Sequence, residues 1–129
     1  MYLPKEYKNL YPAEKKKRNK YGAKKVEIDG HVFDSKKEGN RYLELKLQQH
    51  AGFIMNLELH PKFILQEGFR HKGKSISSIK FTPDFRYKRK DGELVVEDVK
   101  GGKATKTEAY SIRRRLLLKQ NPEITFIET

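Results

Sequence analysis

The stretch from Thr82 to Gly102 constrains this chain more than any other. Two strand-like runs flank a tip at Lys90-Asp91-Gly92, and Asp followed by Gly between such runs signals a β-hairpin. Loop length then decides which side chains meet. A two-residue turn at Asp91-Gly92 pairs Asp84 with Val99 and sends Asp98 to the opposite face. A three-residue loop, with Gly92 at the left-handed position, pairs Asp84 with Asp98 at a Cβ separation of about 4.5–5.5 Å. Lys100 then follows one step along the same face, opposite Thr82. The other face reads Phe85, Tyr87, Val95 and Val99, which is a sensible core. Apolar packing therefore selects the three-residue loop. In that register Glu97 falls among the apolar residues, opposite Phe85, so Asp98 is the candidate acid and Glu97 is not.

The rest of the chain supplies an α/β frame. Residues 1–22 form a basic arm whose densest run is Lys15-Lys16-Lys17-Arg18-Asn19-Lys20. Residues 23–129 form the domain. Val26 to Phe33 alternates around Asp29-Gly30, a second hairpin signal. Ser35-Lys36-Lys37-Glu38 is a capping box that opens a helix running to about Gln49, with Gly52 past its end. Tyr42, Leu43, Leu45, Leu47 and Ala51 form its inward arc, and Glu38 borders that arc. Leu57, Leu59, Phe63 and Leu65 alternate on either side of Pro61 as strand residues, and His71-Lys72-Gly73-Lys74 is a turn. A strand starting at Ile76 or Ile79 leads into the Thr82–Gly102 hairpin. Thr105-Lys106-Thr107-Glu108 is another capping box, opening a helix to about Lys119. Its expected inward residues are Ile112, Leu116 and Leu117, with Arg113, Arg114, Arg115 and Lys119 outward. Ile124 to Ile127 is a last strand. The order hairpin, helix, strands, helix, strand implies a mixed β-sheet flanked by helices.

Two carboxylates opposed across strands repel each other, and a hard divalent cation removes that penalty. Such an ion polarises a phosphoryl oxygen and activates water. Lys100 beside the pair is placed to stabilise charge developing in a phosphoryl transfer. Each residue also has a plainer reading. Asp84 can bond local backbone, Asp98 and Lys100 can form a surface ion pair, and Glu38 completes a capping box. The net charge favours the sharper one. With 29 Lys and Arg against 17 Asp and Glu, the chain carries +12 at pH 7, which points to a polyanionic partner. The absence of cysteine excludes disulfides, thiolate zinc sites and a Cys nucleophile. The four histidines lack metal-ligand spacing. No signal peptide or membrane-spanning run is legible, so a cytoplasmic protein without membrane partners is expected.

Pro83-Asp84 followed by Asp98-Val99-Lys100 resembles the PD-(D/E)XK signature of the restriction-endonuclease-like superfamily. Lys20-Tyr21-Gly22-Ala23-Lys24, Phe33 to Glu38 and Val96 to Gly101 resemble small phage-encoded proteins described as endonucleases related to Holliday junction resolvases. The resemblance spans roughly residues 20–127. It implies a restriction-endonuclease-like fold and Mg²⁺- or Mn²⁺-dependent hydrolysis of DNA. It makes Asp84, Asp98 and the Val99 main-chain carbonyl metal ligands, Lys100 the catalytic lysine and Glu38 a further acid on the first helix. It also implies a homodimer with one site per DNA strand, acting in the host cytoplasm. Lys36, Lys103, Lys106, Arg113 and Arg114 are the candidate DNA contacts, made to backbone phosphates rather than base edges. A non-catalytic DNA-binding protein on the same fold is the alternative. An RNA-binding role is disfavoured because the aromatics read as core rather than as a stacking face.

Overall fold

Asp29 and Gly30 both adopt positive φ, 54° and 79°, as a two-residue type I′ turn requires. They join β1 (Val26–Ile28) to β2 (His31–Phe33), which pair antiparallel with Val26 opposite Phe33. The description is of a computed structural model and covers residues 25–100 and 107–129. The basic arm and the Gly101 to Lys106 segment, with Lys103 and Lys106, lie outside it. The chain divides into two compact units between Met55 and Asn56.

In the first unit, α1 (Lys36–His50) begins where the capping box places it. The Ser35 hydroxyl accepts the Glu38 N–H at 3.1 Å, which satisfies one of the exposed donors of the first turn. Gly39 brings the helix close to β1. A Cβ there would stand 2.6 Å from Val26 Cγ2. Tyr42 packs its ring, tilted, against Phe33 and donates its hydroxyl to Asp29 Oδ2 at 2.7 Å, tying the helix to the hairpin turn. Val26, Ile28, Phe33, Tyr42, Leu43, Leu45 and Ile54 are buried. Ala51, expected inward, is instead the exposed C-cap, with Gly52 at φ 86° ending the helix.

The second unit is built on a four-stranded mixed sheet ordered β10-β9-β8-β3, from β3 (Ile54–Leu59, whose first two residues precede the boundary), β8 (Phe85–Arg89), β9 (Leu94–Asp98) and β10 (Thr125–Glu128). β8 and β9 pair antiparallel, and β9 and β10 pair parallel. The parallel pair needs a long crossover, and α2 (Glu108–Gln120) supplies it. Between β3 and β8 the chain forms two more pairs. β4 (Phe63–Gln66) joins β7 (Ile79–Phe81), and β5 (Phe69–His71) joins β6 (Lys74–Ile76). Leu65, Phe81, Val96 and Leu117 form the buried cluster that docks α2 on this unit, with Phe63, Ile79, Tyr110, Ile124 and Phe126 packed around it.

The β8–β9 register agrees with the three-residue loop. Phe85 faces Glu97 and Tyr87 faces Val95. The Arg89 N–H donates to the Glu93 carbonyl at 2.8 Å, closing Lys90-Asp91-Gly92, and Gly92 has φ 95°. At the mouth of this loop the Glu93 carboxylate accepts from the Thr125 hydroxyl and from Arg89, each at 2.7 Å. These bonds, Thr125 first, hold its carboxyl below the ordinary value. A group with a depressed folded-state pKa stabilises fully above its unfolded pKa, and the effect is lost as pH falls through the folded value. Glu93→Gln is therefore expected to lower the melting temperature at pH 7. Its difference from wild type should shrink through the acidic range; a difference constant with pH contradicts the clasp.

Helix α2 departs from the sequence pattern in two ways. Its N-cap is Thr107, whose hydroxyl accepts the Tyr110 N–H at 3.1 Å, while Thr105 lies outside the described residues. It is also rotated. Leu117 is fully buried, but Ile112 and Leu116, expected inward, are 47% and 37% exposed. Arg113 and Arg114, expected outward, are half-buried. The cause is Phe126 on β10. Its ring lies 5.1 Å from the Arg114 guanidinium and accepts that planar cation by stacking. Tyr110, Arg114 and Leu117 therefore make the inner seam. Gln120 extends it by donating to the Leu65 carbonyl at 2.5 Å.

Candidate functional site

Asp84 follows the buried Pro83 and stands one residue ahead of β8, while Asp98 is the last residue of β9. The observed pairing reaches Phe85 and Glu97, one step short of the two acids. The arms stay together beyond that point. Asp84 Oδ2 accepts the Val99 N–H at 2.7 Å. The bond is made across the hairpin, so Asp84 is fixed against the very segment that carries Asp98 and Lys100. Val99, the expected carbonyl ligand, thus has its N–H committed to Asp84.

Lys100 Nζ lies 2.6 Å from Asp98 Oδ2, with side chains only 14% and 10% exposed. That is no loose surface pair, because charges this sheltered are held by geometry rather than screened by water. The Tyr110 ring seats the ammonium, with Nζ 3.5 Å from the ring centroid. Tyr110 in turn donates its hydroxyl to Glu128 Oε2 at 2.5 Å. Burial, and then this bond, raise the phenol above its ordinary pKa, so it stays neutral. The Lys100 N–H donates to the Thr129 carbonyl at 2.9 Å. Its backbone is thus tied to Thr129, the residue that follows β10.

Glu97 is fully buried on the opposite face. Its carboxylate accepts from the Tyr87 hydroxyl at 2.8 Å and the Thr129 hydroxyl at 3.2 Å. Its partners make it a structural acid.

His60 joins the site, although the histidines show no metal-ligand spacing in the sequence. It follows β3 at φ 49°, donates its N–H to the Asp84 carbonyl at 2.9 Å, and places a ring nitrogen within 4.8 Å of an Asp84 carboxylate oxygen. A strained backbone is one mark of a functional position. The only signal in sequence was His before Pro61, which says nothing of the strand across from it.

Glu38 belongs to the first unit, where it is buried in the opening turn of α1. Lys36 is the exposed first residue of that helix. Of the other candidate DNA contacts, Arg113 and Arg114 sit half-buried on α2. The Arg114 Nε is buried without a hydrogen-bond partner.

The structure thus ties Asp84 to His60 and Val99, and Asp98 to Lys100, at one end of the β8–β9 pair. Among the described residues no helix is long and apolar enough to cross a membrane. A family described as "Protein of unknown function (DUF1064)" matches residues 18–128. No curated protein and no solved structure matches the chain.

Proposed function

The chain belongs to the DUF1064 family, and from its own residues we propose that it is a divalent-metal-dependent DNA endonuclease on a restriction-endonuclease-like fold. One observation carries the reading. The β8–β9 register fixes Asp84 against Val99 and sets Asp98 and Lys100 on one arm, with Glu97 turned into the core.

The donor chemistry fits a metal. Asp84 and His60 offer a carboxylate oxygen and an imidazole nitrogen within 4.8 Å of each other. Carboxylate suits Mg²⁺ and Mn²⁺, and imidazole tilts a site toward the transition ion. Asp84, Asp98, the Val99 carbonyl and His60 would hold it, with Glu38 as the further acid implied by the resemblance. When bound, the cation supplies Lewis acidity toward the phosphodiester and acidifies water.

The chain's own groups do the rest. The Val99 N–H and the His60 backbone hold Asp84 in place. Asp98 anchors the Lys100 ammonium, and the Tyr110 ring limits its motion. Lys100 donates toward the phosphoryl oxygens as negative charge accumulates on them. Catalysis of this kind rests on positioning and electrostatics rather than on a protein nucleophile. The net charge of +12 supplies attraction to DNA. A homodimer in the host cytoplasm, placing one site on each strand of a branched DNA, completes the proposal.

Incubation with four-way junction, duplex and single-stranded DNA, in Mg²⁺, Mn²⁺ or EDTA, tests it. Cleavage that needs metal and disappears in Asp84→Ala and Asp98→Ala is expected. Failure to cut any substrate sinks the proposal. Junction binding without cutting favours the non-catalytic alternative, a reading supported by the tight Asp98–Lys100 pair, which already neutralises one of the acids.

His60 gives a second handle. His60→Ala is expected to weaken Mn²⁺ binding by about tenfold or more, on the scale of disturbing a metal shell, and to weaken Mg²⁺ binding less. Mn²⁺ titration followed by electron paramagnetic resonance reads this directly, with Mg²⁺ affinity measured by competition. Unchanged affinity for both ions removes His60 from the site.

A further inference from the structure

From Gln66 to Ser77 every residue is exposed. Within this stretch β5 and β6 form a two-stranded ribbon with Phe69 opposite Ile76, Arg70 opposite Ser75 and His71 opposite Lys74. The ribbon is well defined. Lys72 and Gly73 turn it with positive φ at both positions, 48° and 80°. Arg70 Nη2 donates to the Gly73 carbonyl at 2.7 Å across the tip. At the base the arms approach so closely that a Cβ on Gly68 would stand 3.1 Å from the Ile76 carbonyl oxygen. An isolated two-stranded hairpin is marginal in water. This one nevertheless leaves Phe69 48% and Ile76 39% exposed and contributes nothing to the buried cluster of its unit.

Its charge is one-sided. From Gly68 to Pro83 the sequence holds Arg70, Lys72, Lys74 and Lys80 and no Asp or Glu. The complement of such a surface is a regular array of anions. Its shape narrows the choice. Two strands lie about 4.8 Å apart, and a three-residue arm extends about 10 Å. The major groove of B-DNA is about 12 Å wide and about 8.5 Å deep and admits a two-stranded ribbon. The deep, narrow major groove of A-form RNA does not.

We propose that the β5–β6 ribbon is a DNA-docking arm that enters the major groove of duplex DNA, with Lys72 and Lys74 on the flanking phosphates and the Phe69–Ile76 pair covered on docking. This surface lies outside the candidate active site and gives the nuclease a grip on the duplex beside the bond it cuts. It rests on DNA being the substrate and not on cleavage, so the two can fail separately.

The test measures affinity of the full chain for a duplex in EDTA by fluorescence anisotropy, over a range of salt. The ribbon variant is Lys72→Ala/Lys74→Ala, which leaves the Arg70–Gly73 bond in place. Lys25→Ala/Lys90→Ala, exposed and off the ribbon, removes the same charge elsewhere. Because the ribbon lies outside the core, both variants should melt with wild type. The ribbon variant is expected to bind about tenfold or more weaker at moderate salt. Its salt slope should fall by about two, one for each phosphate that a lysine no longer neutralises. The control should change far less. A ribbon variant that binds like wild type or like the control overturns the proposal and leaves the lysines as guards against edge-to-edge strand pairing. An equal weakening on duplex RNA overturns the groove fit. Wild type that binds through the ribbon, yet never cuts in Mg²⁺ or Mn²⁺, sinks the nuclease reading while the arm stands.

Discussion

Asp84→Asn is expected to lower metal-dependent DNA cleavage by at least about a thousandfold, the scale seen when one member of a catalytic unit is removed. Asparagine is isosteric and its amide oxygen can still accept the Val99 N–H that Asp84 receives at 2.7 Å. Stability should therefore change by no more than about 1 kcal/mol, the typical net worth of one hydrogen bond. DNA affinity measured in EDTA should hold or rise, since a negative charge has left a surface that meets phosphate. This combination separates chemistry from folding and from binding. Loss of cleavage together with a collapse of the melting temperature would show only that Asp84 holds the hairpin together. Full activity in Asp84→Asn removes it from the site.

Leu117→Ala is expected to cost about 2–5 kcal/mol, a large part of the roughly 5–15 kcal/mol that stabilises an ordinary domain. Leu117 is fully buried in the cluster with Leu65, Phe81 and Val96. No neighbour is poised to fill the space, because the partners around it come from four strands and from the helix itself. Its neighbour Leu116, 37% exposed, is the control. Leu116→Ala should stay within about 0.5 kcal/mol. Urea unfolding of the two variants, read at the midpoint with unchanged slope, makes the comparison. Similar losses at the two positions contradict the helix rotation. The helix carries Tyr110, which seats Lys100, so Leu117→Ala should also slow cleavage at temperatures where the chain remains folded.

The parts of the fold that sequence made legible are those where one local pattern excluded the alternatives. Gly92 and the alternation of Phe85, Tyr87 and Val95 admit one register of β8 on β9, and that register is the one observed. Ser35 three residues before Glu38 places the start of α1 to the residue. Where two local patterns compete, the sequence alone does not choose between them. Thr105 and Thr107 both suit an N-cap, and only the Tyr110 N–H on the Thr107 hydroxyl decides between them. The inner face of α2 is hidden from the sequence for a different reason. Ile112 and Leu116 look like core on a helical wheel, but the seam is set by Phe126, which comes from another strand and takes Arg114 against its ring. Nothing within the helix announces that partner. The role of His60 is hidden in the same way, since its contact with Asp84 depends on what lies across from β3. Only the turn of the β5–β6 ribbon is legible in sequence, because its flanking residues lack the buried alternation that marks a strand packed on a core.

The choice of Asp98 over Glu97 is where register becomes chemistry, and a pair of variants tests it most directly. Single-turnover cleavage of a four-way junction in Mn²⁺ should be abolished in Asp98→Asn. It should persist in Glu97→Gln, whose cost should appear as a lower melting temperature, because Glu97 serves the Tyr87 and Thr129 hydroxyls inside the protein. Cleavage surviving in Asp98→Asn and lost in Glu97→Gln, or a wild type that cuts no DNA at all, contradicts the site.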